Sequence, residues 1–234
     1  MAVLPIIIKW LLGVLIHPEM KQVIPLEFEP IIKEDGSQKN DCERNASKRF
    51  LKNLRHYHPQ LPVVLLGDGL SSNSPFIREA RDRRCSYIFI CKEADHKALS
   101  EYFWAGEMPN VTDFTETVGT LKKRYHFMKD VPLNDSNPDL LVTVVFYEET
   151  DPKGSKRQWM WVTDLEVTHD TVRTIALGGR ARWKIENETF NTLKNQGYNY
   201  EHNYGHGYKT LSNLFAGLML LAFLIDSMFR SIFF

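Results

Sequence analysis

Two carboxylates and the basic residues around them carry the chemistry open to this sequence. Glu186 follows Arg182 by four residues in the helix-start stretch Gly179-Arg180-Ala181-Arg182-Trp183-Lys184-Ile185-Glu186. A helix brings i and i+4 onto one side, so the two share a face. Trp183, Phe190 and Leu193 fall on or beside that face, which should pack inward. A carboxylate on a packing face costs free energy unless it is ion-paired or bound to a cation. The residues alone leave both readings open: a glutamate satisfied by Arg182, or one aimed at a metal. Asp68 stands in Gly67-Asp68-Gly69, directly after the apolar run Leu61-Pro62-Val63-Val64-Leu65-Leu66. Sheets of α/β proteins place functional groups at such strand ends, although Asp-Gly is equally a turn signal. Lys194 follows Glu186 by about two helical turns. His202 and His206 have the spacing of helical metal ligands, with Glu201 beside them. Gly205 and Gly207 argue against a helix there, and loop packing is the default reading.

The elements that position these groups follow from periodicity and punctuation. Residues 10–16 and 23–26 read as short strands. After the polar turn of residues 33–39, Asn40 and Glu43 form a capping-box pattern. The helix they open repeats Ala46, Phe50, Leu54 and Tyr57 and stops at Pro59. Arg44, Lys48, Arg49, Lys52 and Arg55 decorate it, either as a solvated face or as a phosphate-contacting one. Residues 61–66 are apolar on both faces, as in a buried strand. Ser74 as N-cap and Pro75 as first residue open a helix to about Arg84. A strand at 87–91 and a helix at 94–104 complete a β-loop-α-β passage and its sequel. From about 106 to 175 the character becomes antiparallel β, with strands at 111–118, 140–147 and 158–165. Lys122, Lys123, Arg124 and Lys129 fall in the connection between the first two. A helix through Glu186 then ends at Gly197.

Composition bounds the class. With 234 residues, 43% hydrophobic and 25% charged, the chain is long enough for one globular α/β domain with an insertion. Its 29 basic and 29 acidic residues cancel, so only local patches speak for a nucleic-acid partner. Three cysteines without a CxxC pair argue against a disulfide framework and against a zinc site, and fit a reducing, cytoplasmic setting. The apolar start, residues 1–16, lacks a basic leader region and a cleavage signal. Residues 211–225 are apolar but shorter than a membrane span of about 20 residues, and read as a core helix.

The run from Pro62 to Gly69, the β block, and the phrase GGRARWKIENETFNTLKNQGYNYEHNYGHG at 178–207 resemble the DDE transposases of bacterial insertion sequences. The resemblance is to the group with a Tyr-Arg-Glu-Lys signature around its third carboxylate. It implies an α/β, ribonuclease-H-like mixed sheet with flanking helices and an inserted antiparallel β region. Residues 1–105 and 176–234 would form the core and 106–175 the insertion. It also implies Mg²⁺, held by carboxylates in a two-metal site for in-line displacement at phosphorus. Asp68 would be the second carboxylate and Glu186 the third, as catalytic and metal-binding residues. Arg182 would steady Glu186 or a phosphate, and Lys194 would contact DNA, alongside Arg49 and Lys52. The implied partner is DNA, bound by a homodimer, with no membrane. The sequence departs from the signature at three points. Gly179 stands where the signature has tyrosine, and seven residues rather than six separate Glu186 from Lys194. The first aspartate belongs on an earlier strand, whereas Asp35 and Asp41 fall in a turn and at a helix start. The resulting expectation is an N-terminally truncated transposase with little strand-transfer activity alone, the alternative being a non-catalytic DNA-binding remnant.

Overall fold

The computed structural model describes residues 9–31, 39–105, 111–200 and 211–233. The chain forms two compact units, one of residues 1–60 with 181–234 and one of residues 61–180.

The first unit begins with the hairpin of β1 (Lys9–Ile16) and β2 (Val23–Ile31), paired antiparallel from Lys9↔Ile31 to Ile16↔Val23. The register shifts between Leu12 and Val14, at Gly13. A Cβ on Gly13 would collide with the Phe50 ring, so this close approach requires glycine. Phe50 lies on α1 (Lys39–Tyr57), the expected helix. Ala46 and Leu54 are buried as the periodicity requires, together with Leu51, whereas Tyr57 is exposed. The unit resumes after residue 180 with a π-helical turn (Ile185–Phe190), a short α5 (Asn191–Asn195), and α6 (Leu211–Phe233). Leu12, Val23, Leu193, Leu220 and Phe223 form its core.

The second unit is a six-stranded mixed sheet of β3 (Val64–Gly67), β4 (Ser86–Ile90), β5 (Val111–Val118), β6 (Leu121–Asn134), β7 (Asn137–Thr150) and β8 (Lys156–Thr163), in the order β3-β4-β8-β7-β6-β5. Only β3 and β4 are parallel; every other pairing is antiparallel. Between them runs α2 (Ser74–Asp82), and α3 (Lys97–Ala105) and α4 (Val172–Ala181) complete the unit. Successive strand residues face opposite sides. Phe89, Val144, Phe146 and Val162 pack with Ile77 and Ala80 of α2 and Leu99 and Phe103 of α3. Ile88, Val145, Tyr147 and Trp161 pack with Val172, Ile175 and Ala176 of α4. Helices therefore cover both faces.

Five sequence expectations change. The cap of α2 is Asn73, whose Oδ1 accepts the Phe76 N–H at 3.0 Å, not Ser74. The connection holding Lys122, Lys123 and Arg124 is the strand β6, stabilised by cross-strand charges such as Arg124 with Asp113. Gly179 lies in the last turn of α4 instead of starting a helix. Trp183 is exposed rather than packed inward, and α6 is open along one side rather than buried on most sides.

Candidate functional site

Asp68 is the first residue beyond β3. Its Oδ1 accepts the Leu70 N–H at 3.0 Å, and its carbonyl accepts the Ser71 N–H at 3.0 Å, so a tight turn forms at the strand end. The side chain stands exposed above this turn. Because β3 and β4 run parallel, the loop after β4 lies at the same end of the sheet. Two residues of that loop come to the Asp68 turn, and no sequence motif marks either of them. A Cβ on Gly69 would meet Lys92 Cε at 2.9 Å, so the Lys92 stem crosses the turn. His96 Nε2 lies 3.0 Å from Ser72 Oγ, which donates to the Gly69 carbonyl at 2.9 Å. Burial holds the His96 imidazole below its usual pKa. The available signal is positional: both residues follow the second strand of the parallel pair.

Glu186 belongs to the other unit. It lies in the π-helical turn, where its carbonyl accepts the Asn191 N–H five residues on. Arg182 Nη1 donates to Glu186 Oε1 at 2.8 Å, as the four-residue spacing predicts. The carboxylate is nevertheless open, with 58% of the side chain accessible. The packing position is taken by Lys184, whose Nζ donates to the carbonyls of His17 at 2.7 Å, Pro18 at 2.8 Å and Met20 at 2.5 Å. That lysine clasps the β1–β2 turn and holds the helical segment against it. Two α-turns take about 7.2 residues, and one π-turn adds about one more. The eight-residue step from Glu186 to Lys194 therefore closes two turns and returns both to one face.

The basic residues of α1 divide. Arg49 Nε donates to Glu29 Oε1 at 2.6 Å and its Nη2 to the Pro30 carbonyl at 2.8 Å, which ties α1 to β2. Asn53 Nδ2 donates to Glu29 Oε2 at 3.2 Å. Arg44 and Lys52 are exposed and Lys48 is half-buried, along one side of the helix at four-residue steps. Asp35, Glu201, His202 and His206 lie outside the described residues, as does the side chain of Asp41.

A cavity of about 190 Å³ lies beside α4, lined by Glu116, Tyr125, Tyr147 and Arg173 among others. Its polar groups satisfy one another: Glu116 accepts from Arg173 Nε at 2.8 Å and from the Tyr125 hydroxyl at 2.9 Å. No candidate site residue lines it.

Among the described residues no three His, Cys, Asp or Glu side chains gather where they could hold a metal ion. Asp68 and Glu186 each have one oxygen engaged within their own unit. This donor set falls short of the oxygen cage that binds a hard divalent cation. No curated protein matches the chain. The sequence model described as Transposase DDE domain matches residues 20–224, and on this match over most of its length the chain belongs to that transposase family.

Proposed function

We propose that this protein is a DNA-binding transposase, of the Tyr-Arg-Glu-Lys signature group, whose strand-transfer chemistry is impaired. The family cleaves and joins DNA strands, and its members use divalent metal ions. In this reading Asp68 and Glu186 are the second and third carboxylates, Arg182 steadies Glu186, and Lys194 meets DNA from the same helical face. The antiparallel strands between residues 106 and 175 are the insertion between the two carboxylates.

What supports the impairment is that, among the described residues, no third carboxylate gathers with Asp68 or Glu186. The strands β1 and β2 hold no aspartate, and their carboxylates are Glu27 and Glu29. Glu29 is engaged by Arg49 and Asn53. A two-metal displacement needs carboxylates on both sides of two cations, and two single residues supply neither the charge nor the ligand count. The decisive experiment incubates the purified protein and Mg²⁺ with a duplex carrying the transposon end. The expected outcome is retarded DNA without cleaved or joined strands. Mg²⁺-dependent cleavage that Asp68→Asn abolishes would refute the impairment while keeping the site assignment.

Binding itself rests on phosphate contacts from Arg44, Lys48 and Lys52. Arg49, already paired with Glu29, contributes through the position of α1. Affinity should fall steeply with salt, and Lys52→Glu, which removes one phosphate-neutralising charge, should lower the slope of log K against log salt by about one. An isotherm indifferent to salt would overturn the DNA-binding reading. Pairing of two copies on DNA and a cytoplasmic setting complete the proposal.

A further inference from the structure

We propose that the cavity beside α4 is a binding site for a small aromatic carboxylate, whose charge is held by Lys123 and whose ring is held by apolar and aromatic side chains. The site is built by adjoining rows of the sheet and one helix. Glu116, Lys123, Glu149 and Arg157 are successive cross-strand partners from β5 to β8. Residues two apart on a strand share a face, so Phe114, Tyr125, Tyr147 and Trp159 form the adjoining row, on the side that α4 covers. Their rings follow one another across the strands, with centroids 5.0, 5.0 and 5.6 Å apart.

The charges here do not balance. Arg173 of α4 pairs with Glu116 at 2.7 Å, and the Tyr125 hydroxyl donates to the same carboxylate. Glu149 is buried and is held by Arg180 of α4, by Arg157 at 3.0 Å and by the Tyr147 hydroxyl at 2.6 Å. Both carboxylates are thus engaged. Lys123 stands between them in the register, half-buried, yet it has no hydrogen bond or ion pair among the described residues. The charged row and α4 together carry four cations and only two carboxylates. A half-buried ammonium whose neighbouring carboxylates are already taken is stabilised by an added anion.

The cavity sets the rest of the ligand. Its volume of about 190 Å³ is close to the roughly 150 Å³ that accommodates one benzene ring, and too small for a drug-sized molecule. Tyr125, Tyr147, Ala176 and Leu177 supply the aromatic and apolar surface that such a ring needs. Leu177 and Val118, 42% and 49% accessible, mark the open side. A DNA phosphate has no apolar part to place against these walls, which favours a small molecule over a duplex backbone. The site shares no residue with Asp68, Glu186 or the basic side of α1, so its failure leaves the DNA-binding reading untouched.

Titration of the full chain with benzoate, followed by amide chemical shifts, tests it. The expected result is saturable shifts confined to β5, β6, β7 and α4, with a dissociation constant on the order of 1 mM. Benzyl alcohol lacks the charge and acetate lacks the ring, so each should bind about tenfold more weakly or worse. Lys123→Gln should weaken benzoate about tenfold and leave benzyl alcohol unchanged. Ala176→Leu, which fills the cavity, should abolish binding of both. The Lys123 variant alters a half-open side chain and keeps the test decisive if the filled variant fails to fold. Absence of benzoate binding overturns the proposal, as does an affinity unchanged in Lys123→Gln. Acetate or inorganic phosphate binding as tightly as benzoate would reduce the site to a surface anion contact and overturn it too. So would a DNA duplex that displaces benzoate and itself loses affinity in Lys123→Gln.

Discussion

Residues 61–180 fill an apolar core on each face of their sheet, with α2 and α3 on one side and α4 on the other. The unit of residues 1–60 and 181–234 builds a smaller core on a two-stranded sheet and leaves one side of α6 open. A two-stranded hairpin is marginal in water unless helices cover it. The contrast separates a part that completes itself from a part left to be completed. The two candidate carboxylates follow the same division. Asp68 is fixed by hydrogen bonds within a self-sufficient sheet, whereas Glu186 rides on a segment held by the Lys184 clasp.

The sharpest way to break this comparison is excision. A fragment of residues 61–180 should fold alone, with dispersed amide resonances and one cooperative urea transition. A disordered fragment would show that the two-faced core depends on the rest of the chain, and the contrast would fall.

Within the filled unit, Trp161 is almost fully buried and touches Gly179, where a Cβ would stand 2.6 Å from the indole. Trp161→Ala should cost about 4 kcal/mol by urea unfolding, and Gly179→Ala about 2 kcal/mol through overpacking. The same close approach gives a physical reason for glycine where the signature has tyrosine: the indole already fills that space. A Trp161→Ala cost under about 1 kcal/mol would mean the core is looser than its burial implies.

Lys184→Met tests the other unit. It leaves three carbonyls of the β1–β2 turn without their donor. Two of those residues, His17 and Met20, are exposed, so water recovers part of the loss. The expected cost is about 2 kcal/mol, with faster amide exchange confined to β1 and β2. Exchange that rises equally in both units would deny the clasp a local role.

Most of the fold is legible in the sequence because its strands and helices announce themselves by period. The run Val111–Val118 is rich in valine, threonine and phenylalanine, and the β3-α2-β4 passage carries Pro, Gly and Asn punctuation. β6 is hidden because Lys122, Lys123 and Arg124 look like a solvated connection, and only their partners on β5 and β7 make them strand residues. The site is half legible. The Arg182–Glu186 pair follows from helix geometry, but which residue of that segment turns inward does not. Lys184 and Glu186, two residues apart, fall on opposite sides of the segment, and it is Lys184 that turns inside and Glu186 outside. The open side of α6 escapes a reading by hydropathy, which records apolarity and not the presence of a neighbour.

The smallest predicted effect distinguishes how the filled unit is held at its outer strands. Hydrogen bonding from Arg124 holds the Asp113 carboxyl below its ordinary range, and Arg173 does the same for Glu116. The Gln158 amide and then Lys156 do so for Glu148. Each has a folded pKa below its unfolded value, so the unfolded chain binds more protons as the pH falls. Their stabilisation is complete above the ordinary carboxylate range and is lost as acid reaches the folded values. Asp164 works in the opposite sense: burial raises its pKa, so its contribution favours the fold in acid and fades as the pH rises through that raised value. With Asp139, which a hydrogen bond from Arg78 also holds low, four carboxylates against one should give a net loss of stability from about pH 5 to about pH 3. Asp113 and Glu116 are partly open to solvent, so screening keeps the loss modest and makes it shrink with added salt. Urea midpoints of the wild type and of Arg124→Gln across this window are the measurement. The variant should lose less than the wild type on acidification, because Asp113 already lacks its partner. A wild-type midpoint that is flat, or that rises in acid, would place Asp164 in control and remove the outer-strand ion pairs from the account of this unit's stability.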